Sequence, residues 1–172
     1  MEMNTFILWM DYIGFLAPYI LFFLSIFLLL HKTYYLTYYF IGFGINILLN
    51  LILKGIIQQP RPNEDAKLIN IAKNNGKRIS FDVYGMPSGH AQMSLYSTIF
   101  IYLVFKNINL TIFYLFISLL TFYQRVKYKN HTTFQVFVGA FIGSIFSFLV
   151  FMMTKKNISG KWIKKKEDGA LN

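Results

Sequence analysis

The sequence predicts an all-α, polytopic membrane helix bundle of about five transmembrane helices. Three observations carry that expectation. The chain of 172 residues is 55% hydrophobic and only 14% charged, too apolar for a soluble domain of its size. Its apolar runs recur at close to the roughly 20 residues that a bilayer core demands of a helix. Its charges gather in loops and at the C-terminal end instead of interrupting those runs.

The first run, "YIGFLAPYILFFLSIFLLL" over 12–30, contains Pro18, which packed membrane helices tolerate as a kink. Glu2 and Asp11 precede it without any Lys or Arg, so it reads as a retained helix and not as a cleaved leader. The second run spans 34–53 and is followed by the single long loop, 54–87. Within that loop "EDAKLINIAK" (64–73) has the pattern of a short surface helix closed by Gly76. A third helix is expected from Ser88 to Phe105, a shorter fourth over 108–123, and a clear fifth over 132–153. A basic tail, 154–172, completes a single domain of residues 1–172 whose core is about 34–153.

Composition also excludes. Without cysteine there are no disulfides, thiol nucleophiles or thiolate metal sites. The net charge of +10 sits beside apolar segments, which fits lipid headgroups and membrane topology and argues against a nucleic-acid partner. Alternation of five helices puts the 54–87 and 124–131 loops on one face and the tail on the other. Lys32, Lys106 and the tail lysines then favour a cytoplasmic tail and a lumenal or external loop face.

Three stretches on that loop face carry chemistry. In "KGIIQQPRP" (54–62), Lys54 and Arg61 fall two turns apart if the second helix runs to about residue 59. In "YGMPSGHAQ" (84–92), Ser88 is placed to cap a helix, Gly89 to let backbone approach a ligand, and His90 lies in the first turn. Such a helix start offers free N–H groups to an anion. In "QRVKYKNHTTFQV" (124–136), Arg125 precedes His131 by six residues, with Gln135 one turn further on. Taken singly, these read better as snorkelling cations, a capped helix with an interfacial histidine, and a histidine that caps the fifth helix. Taken together, they supply what phosphoryl transfer needs: cations for phosphate oxygens, a nucleophile and an acid. A metal site is disfavoured, because the cations would repel one and the acidic residues lack ligand spacing.

The set resembles the three motifs of the type 2 phosphatidic acid phosphatase superfamily: K-x(6)-R-P, P-S-G-H and S-R-x(5)-H-x(3)-D. The first two are complete as Lys54…Arg61-Pro62 and Pro87-Ser88-Gly89-His90. In the third, Arg125 and His131 keep their spacing, while Gln124 and Gln135 replace Ser and Asp. "YGMPSGHAQ" and "RVKYKNHTTFQV" are most similar to the dolichyldiphosphatase branch, where Gln at the last position is expected.

That resemblance implies an active site at one membrane interface and no metal or other cofactor. His131 would attack the terminal phosphorus to give a phosphohistidine, and His90 would protonate the departing oxygen. Lys54, Arg61 and Arg125 would hold the phosphate, with Ser88 and the backbone at Gly89. Gln135 would stand in for the aspartate that orients His131, contributing a dipole in place of a charge. The implied substrate is dolichyl or another isoprenoid diphosphate, cleaved in the endoplasmic reticulum membrane with the site lumenal, or on the external face of a bacterial membrane. Phe81, Tyr84, Met86 and Tyr123 are candidate neighbours of its first isoprene units. A broad lipid phosphatase and a lipid-phosphate-binding relic are the alternatives. "GAFIG" (139–143) is expected to let two helices of the same chain pack closely. Neither "NHT" (130–132) nor "NIS" (157–159) is expected to carry a glycan.

Overall fold

The computed structural model describes residues 5–63 and 80–167, all of whose regular structure is helical. Five α-helices follow in order: α1 (Thr5–Leu29), α2 (Thr33–Ile57), α3 (Gly89–Phe105), α4 (Ile108–Lys127) and α5 (Thr133–Glu167). A single 3-10 turn, Ser80–Val83, precedes α3. The expected surface helix over 64–73 lies outside the described residues.

Among the described residues, three helices are long and apolar enough to cross a bilayer: Ile7–Leu29, Thr33–Ile57 and Thr133–Gly160. The chain is therefore an integral membrane protein. α3 is shorter and more polar, and its environment explains why: it packs against α1, α2, α4 and α5. A helix largely enclosed by other helices needs no continuous apolar coat, only partners for its polar groups. The Ser97 hydroxyl meets the Tyr39 hydroxyl at 2.8 Å, and Thr98 Oγ1 meets Ser118 Oγ at 3.0 Å. Around them Tyr39, Tyr96, Phe100 and Tyr114 form the fully buried aromatic centre.

Two glycines set the closest approach. A Cβ on Gly139 would strike the Ser88 carbonyl, and one on Gly143 would strike the Gln92 carbonyl. The G-x-x-x-G run of α5 thus seats α3 of the same chain.

Helix boundaries depart from the sequence reading in four places, one of them α4, which runs to Lys127 and not to 123. α1 starts earlier and includes Asp11, because that carboxylate is buried against Lys127 Nζ (2.7 and 2.9 Å) and the Tyr128 hydroxyl (2.7 Å) at the end of α4. α2 stops at Ile57, where Gln58 turns left-handed (φ 50°) and returns its N–H to the Lys54 carbonyl. Arg61 therefore lies beyond the helix, not on it. α5 continues through the basic segment to Glu167 and not to 153, lysine being a good helix former that needs no apolar face of its own.

Candidate active site

Alternating helices bring the end of α2, the starts of α3 and α5 and the end of α4 to one end of the bundle. Backbone hydrogen bonds lock these ends together. The Ser88 N–H donates to the Gln135 carbonyl at 3.0 Å, and the Gly85 N–H donates to the Gln59 carbonyl at 2.8 Å. The Asn130 and His131 N–H groups both fold back onto the Arg125 carbonyl, at 3.0 and 3.1 Å.

Arg61 is the hub. Its guanidinium donates to the carbonyls of Asp82 (2.7 Å), Asn130 (3.0 Å) and Val83 (3.2 Å), and to Asp82 Oδ1 (3.3 Å). It also lies 2.9 Å from His131 Nε2. A guanidinium can only donate, so that nitrogen accepts and carries a lone pair. The ring proton then sits on Nδ1, which donates to the Gly85 carbonyl at 2.7 Å. His131 is held as the neutral tautomer with Nε2 turned to the cations.

Lys54, on the last turn of α2, is 1% exposed and donates to Asp82 Oδ1 (2.8 Å) and the Tyr84 carbonyl (2.9 Å). Arg125 is buried on the last turn of α4. Burial, then the positive charges of Arg61, Arg125 and Lys54, hold the His131 pKa well below the usual imidazole value; the Gly85 bond opposes them. The three cations named from the sequence thus act on His131, one of the two imidazoles named with them.

The start of α3 stands beside them. Ser88 occupies the N-cap, yet its hydroxyl makes no capping bond; it is buried without a hydrogen-bond partner among the described residues. Gly89 is buried against Asn50 Oδ1, 3.0 Å from where a Cβ would sit. His90, half-buried in the first turn, packs its ring against Phe15 of α1 at 5.7 Å between centroids.

Gln135 is where the structure corrects the sequence reading. Its amide does not orient His131, a position taken by the Gly85 carbonyl. Instead Oε1 accepts from the Thr132 N–H while Thr132 Oγ1 accepts from the Gln135 N–H, both at 3.2 Å. This is the reciprocal cap of α5. Nε2 reaches across to Gln59 Oε1 (3.0 Å) and the Pro60 carbonyl (2.9 Å). A Cβ on Gly85 would come within 2.6 Å of Gln135 Oε1, so only glycine lets the 84–87 turn pass beside that amide. Gln135 fastens three loops, and their position in turn fixes His131.

Sequence reading missed three contributors. Asp82, the carboxylate shared by Lys54 and Arg61, belongs to no spaced motif. The Gly85 carbonyl is backbone. Asn46, Asn50 and Gln92 form a buried carboxamide relay: Gln92 Nε2 donates to Asn46 Oδ1 and Asn50 Nδ2 to Gln92 Oε1, each at 2.8 Å. Asn50 Nδ2 also reaches the Pro87 carbonyl at 3.2 Å, bracing the turn before α3. The i, i+4 pair of asparagines in an apolar helix was the available signal, since such groups are costly inside a bilayer unless paired.

A family model for the PAP2 superfamily matches residues 35–159. The chain belongs to the PAP2 superfamily. The match spans most of α2 and all of α3 and α4, and ends within α5; α1 lies outside it. Searches of curated proteins and of solved structures give no significant match. Membership carries the chemistry of a phosphatase acting on lipid phosphates in a membrane.

Proposed function

We propose that this PAP2 protein hydrolyses long isoprenoid diphosphates, such as dolichyl diphosphate, to the monophosphate and inorganic phosphate, without a metal. The observation that carries the reading is the His131 ring, with Nδ1–H on the Gly85 carbonyl and Nε2 facing the Arg61 guanidinium. A terminal phosphate entering between Lys54, Arg61 and Arg125 takes over donors that Arg61 now gives to Nε2. The freed lone pair attacks phosphorus; the N–P bond forms as the bridging P–O bond breaks, and His90 gives its proton to the departing lipid monophosphate. Water then attacks the phosphohistidine, returning a proton to His90 and releasing inorganic phosphate and neutral His131. Ser88 Oγ is buried without a hydrogen-bond partner among the described residues, which supports a role for it and the first N–H groups of α3 in binding a phosphate oxygen.

The diphosphate preference is supported by motif context and by the partner of Nδ1. A carbonyl dipole steadies the imidazolium that phosphorylation creates less than a carboxylate would. A substrate whose leaving group is already a phosphate monoester needs less help. Exposed Phe81 and Tyr123 offer apolar surface to the lipid chain. The positive-inside pattern supports a lumenal or external site. A broad lipid phosphatase is the second reading, favoured by the complete first two motifs.

The test is phosphate release by purified protein in EDTA from dolichyl diphosphate and from phosphatidic acid. The expected result is faster cleavage of the diphosphate, trapped phosphohistidine, and loss of both with His131→Ala. Equal rates on the two lipids would return the protein to the broad class, and dependence on added metal would overturn the mechanism.

A further inference from the structure

We propose that Asp82 is an internal counter-ion which substrate phosphate displaces, and that its return sets the affinity of the site for phosphate. The inference rests on the phosphatase reading and concerns how that site exchanges its anion. Lys54 and Arg61 are both buried, yet each is aimed by fixed backbone acceptors: the Tyr84 carbonyl for Lys54, and the carbonyls of Asp82, Val83 and Asn130 for Arg61. The Asp82 carboxylate adds one bond to each, at 2.8 and 3.3 Å.

Its situation differs from that of the carbonyls. The side chain is 49% exposed, stands on a short 3-10 turn and is held only through Oδ1. Unlike those carbonyls, it can swing to water without moving main chain. A phosphate dianion is the stronger partner for a guanidinium and an ammonium together, so it takes the carboxylate's place while the carbonyls keep the cations aimed. When product phosphate leaves, the carboxylate returns to the two buried cations. Asp82 thereby weakens phosphate binding and speeds release; it restrains product inhibition and does not build the cradle.

The probe is inorganic phosphate, its Kd read from thermal stabilisation of the full chain in detergent. Asp82→Asn keeps the shape and one acceptor oxygen but gives up the charge. The expected result is phosphate binding roughly tenfold tighter, the scale of one charge-assisted hydrogen bond no longer surrendered. A Kd equal to or weaker than that of the unaltered protein overturns the proposal, since a carboxylate that positions the cations would have that effect. A second measurement needs no variant. Carbodiimide-driven amine labelling of Asp82 in the unaltered protein should rise with sulfate, an inert tetrahedral dianion, at a concentration that stabilises the protein. Constant or falling labelling overturns displacement. If phosphate binds and Asp82→Asn tightens it, yet no isoprenoid diphosphate is cleaved, the substrate assignment fails and the counter-ion role stands. Cleavage with an unchanged phosphate Kd in the variant is the reverse case.

Discussion

Replacing Gln135 with the aspartate of the superfamily pattern separates two views of this site. If position 135 orients the nucleophile, Gln135→Asp restores a charged partner and preserves or improves cleavage of phosphate monoesters. The structure predicts the opposite. Nε2 of Gln135 donates to Gln59 Oε1 and to the Pro60 carbonyl. A carboxylate there has no proton to give and faces two acceptors. Leaving each unsatisfied costs about 1–3 kcal/mol when buried, though Gln59 is only half-buried and Pro60 exposed, so water recovers part of it. Negative charge in the first turn of α5 returns about 0.3–1 kcal/mol. The net loss is about 1–3 kcal/mol, and the 58–62 and 84–88 segments, tied to this residue, shift with it. A displacement near 1 Å at a reacting group costs about 10²-fold in rate. The measurement is unfolding in detergent together with turnover on matched mono- and diphosphate lipids. A Gln135→Asp protein at least as stable as the original, with faster monoester cleavage and a raised His131 pKa by NMR, would refute the scaffold role.

The remaining predictions concern pH and the first helix. His131 has a folded pKa depressed below its unfolded value of about 6.5, so the native state is favoured above that pH. Stability is lost as pH falls below it, by about 1.4 kcal/mol per unit until the folded pKa is reached. Comparing the protein with His131→Gln between pH 7 and 5 isolates that slope; equal slopes would show that burial and the three cations do not act on the ring as described. Asp11→Asn should lower stability by about 1–3 kcal/mol, because a fully buried acceptor of three hydrogen bonds loses its charge while Lys127 retains access to water. A thermal midpoint unchanged by that substitution would show that α1 is not anchored there.

The candidate site was legible where polar letters interrupt apolar runs. Lys54, Arg61, His90, Arg125 and His131 stand out because ionisable groups at a membrane border are costly without a role. Their spacing predicts a common face; described contacts link Lys54 and Arg61 through Asp82, and Arg61 to His131. What escaped was carried by backbone or by geometry between loops. The Gly85 carbonyl has no letter, and Asp82 acquires meaning only when its turn folds over α2. Gln135 was found, but its role was misread, since spacing reports that a residue is near a helix start and not which way its amide points. Asp11 looked like a charge outside the lipid because its partners, Lys127 and Tyr128, lie more than a hundred residues away. The five helices were legible because apolar length is local information. The end of α5 was not, since a lysine-rich extension carries no apolar stripe.

The distribution of the motifs over three loops follows from the physics of holding cations out of water. A buried guanidinium and ammonium must be satisfied before substrate arrives, or the empty site would be unstable. If carboxylates did all of that work, they would neutralise the charge that phosphate has to find. Main-chain carbonyls avoid the conflict: they accept hydrogen bonds with a dipole, leave the net positive charge in place and cannot follow the substrate out. Here the carbonyls of Asp82, Val83, Tyr84 and Asn130 point at Lys54 and Arg61, and that of Gly85 holds His131. No single helix can offer so many free carbonyls from its middle, because its own N–H groups take them. The cradle therefore has to be assembled from turns between helices, and a rigid bundle below is what brings those turns to one place.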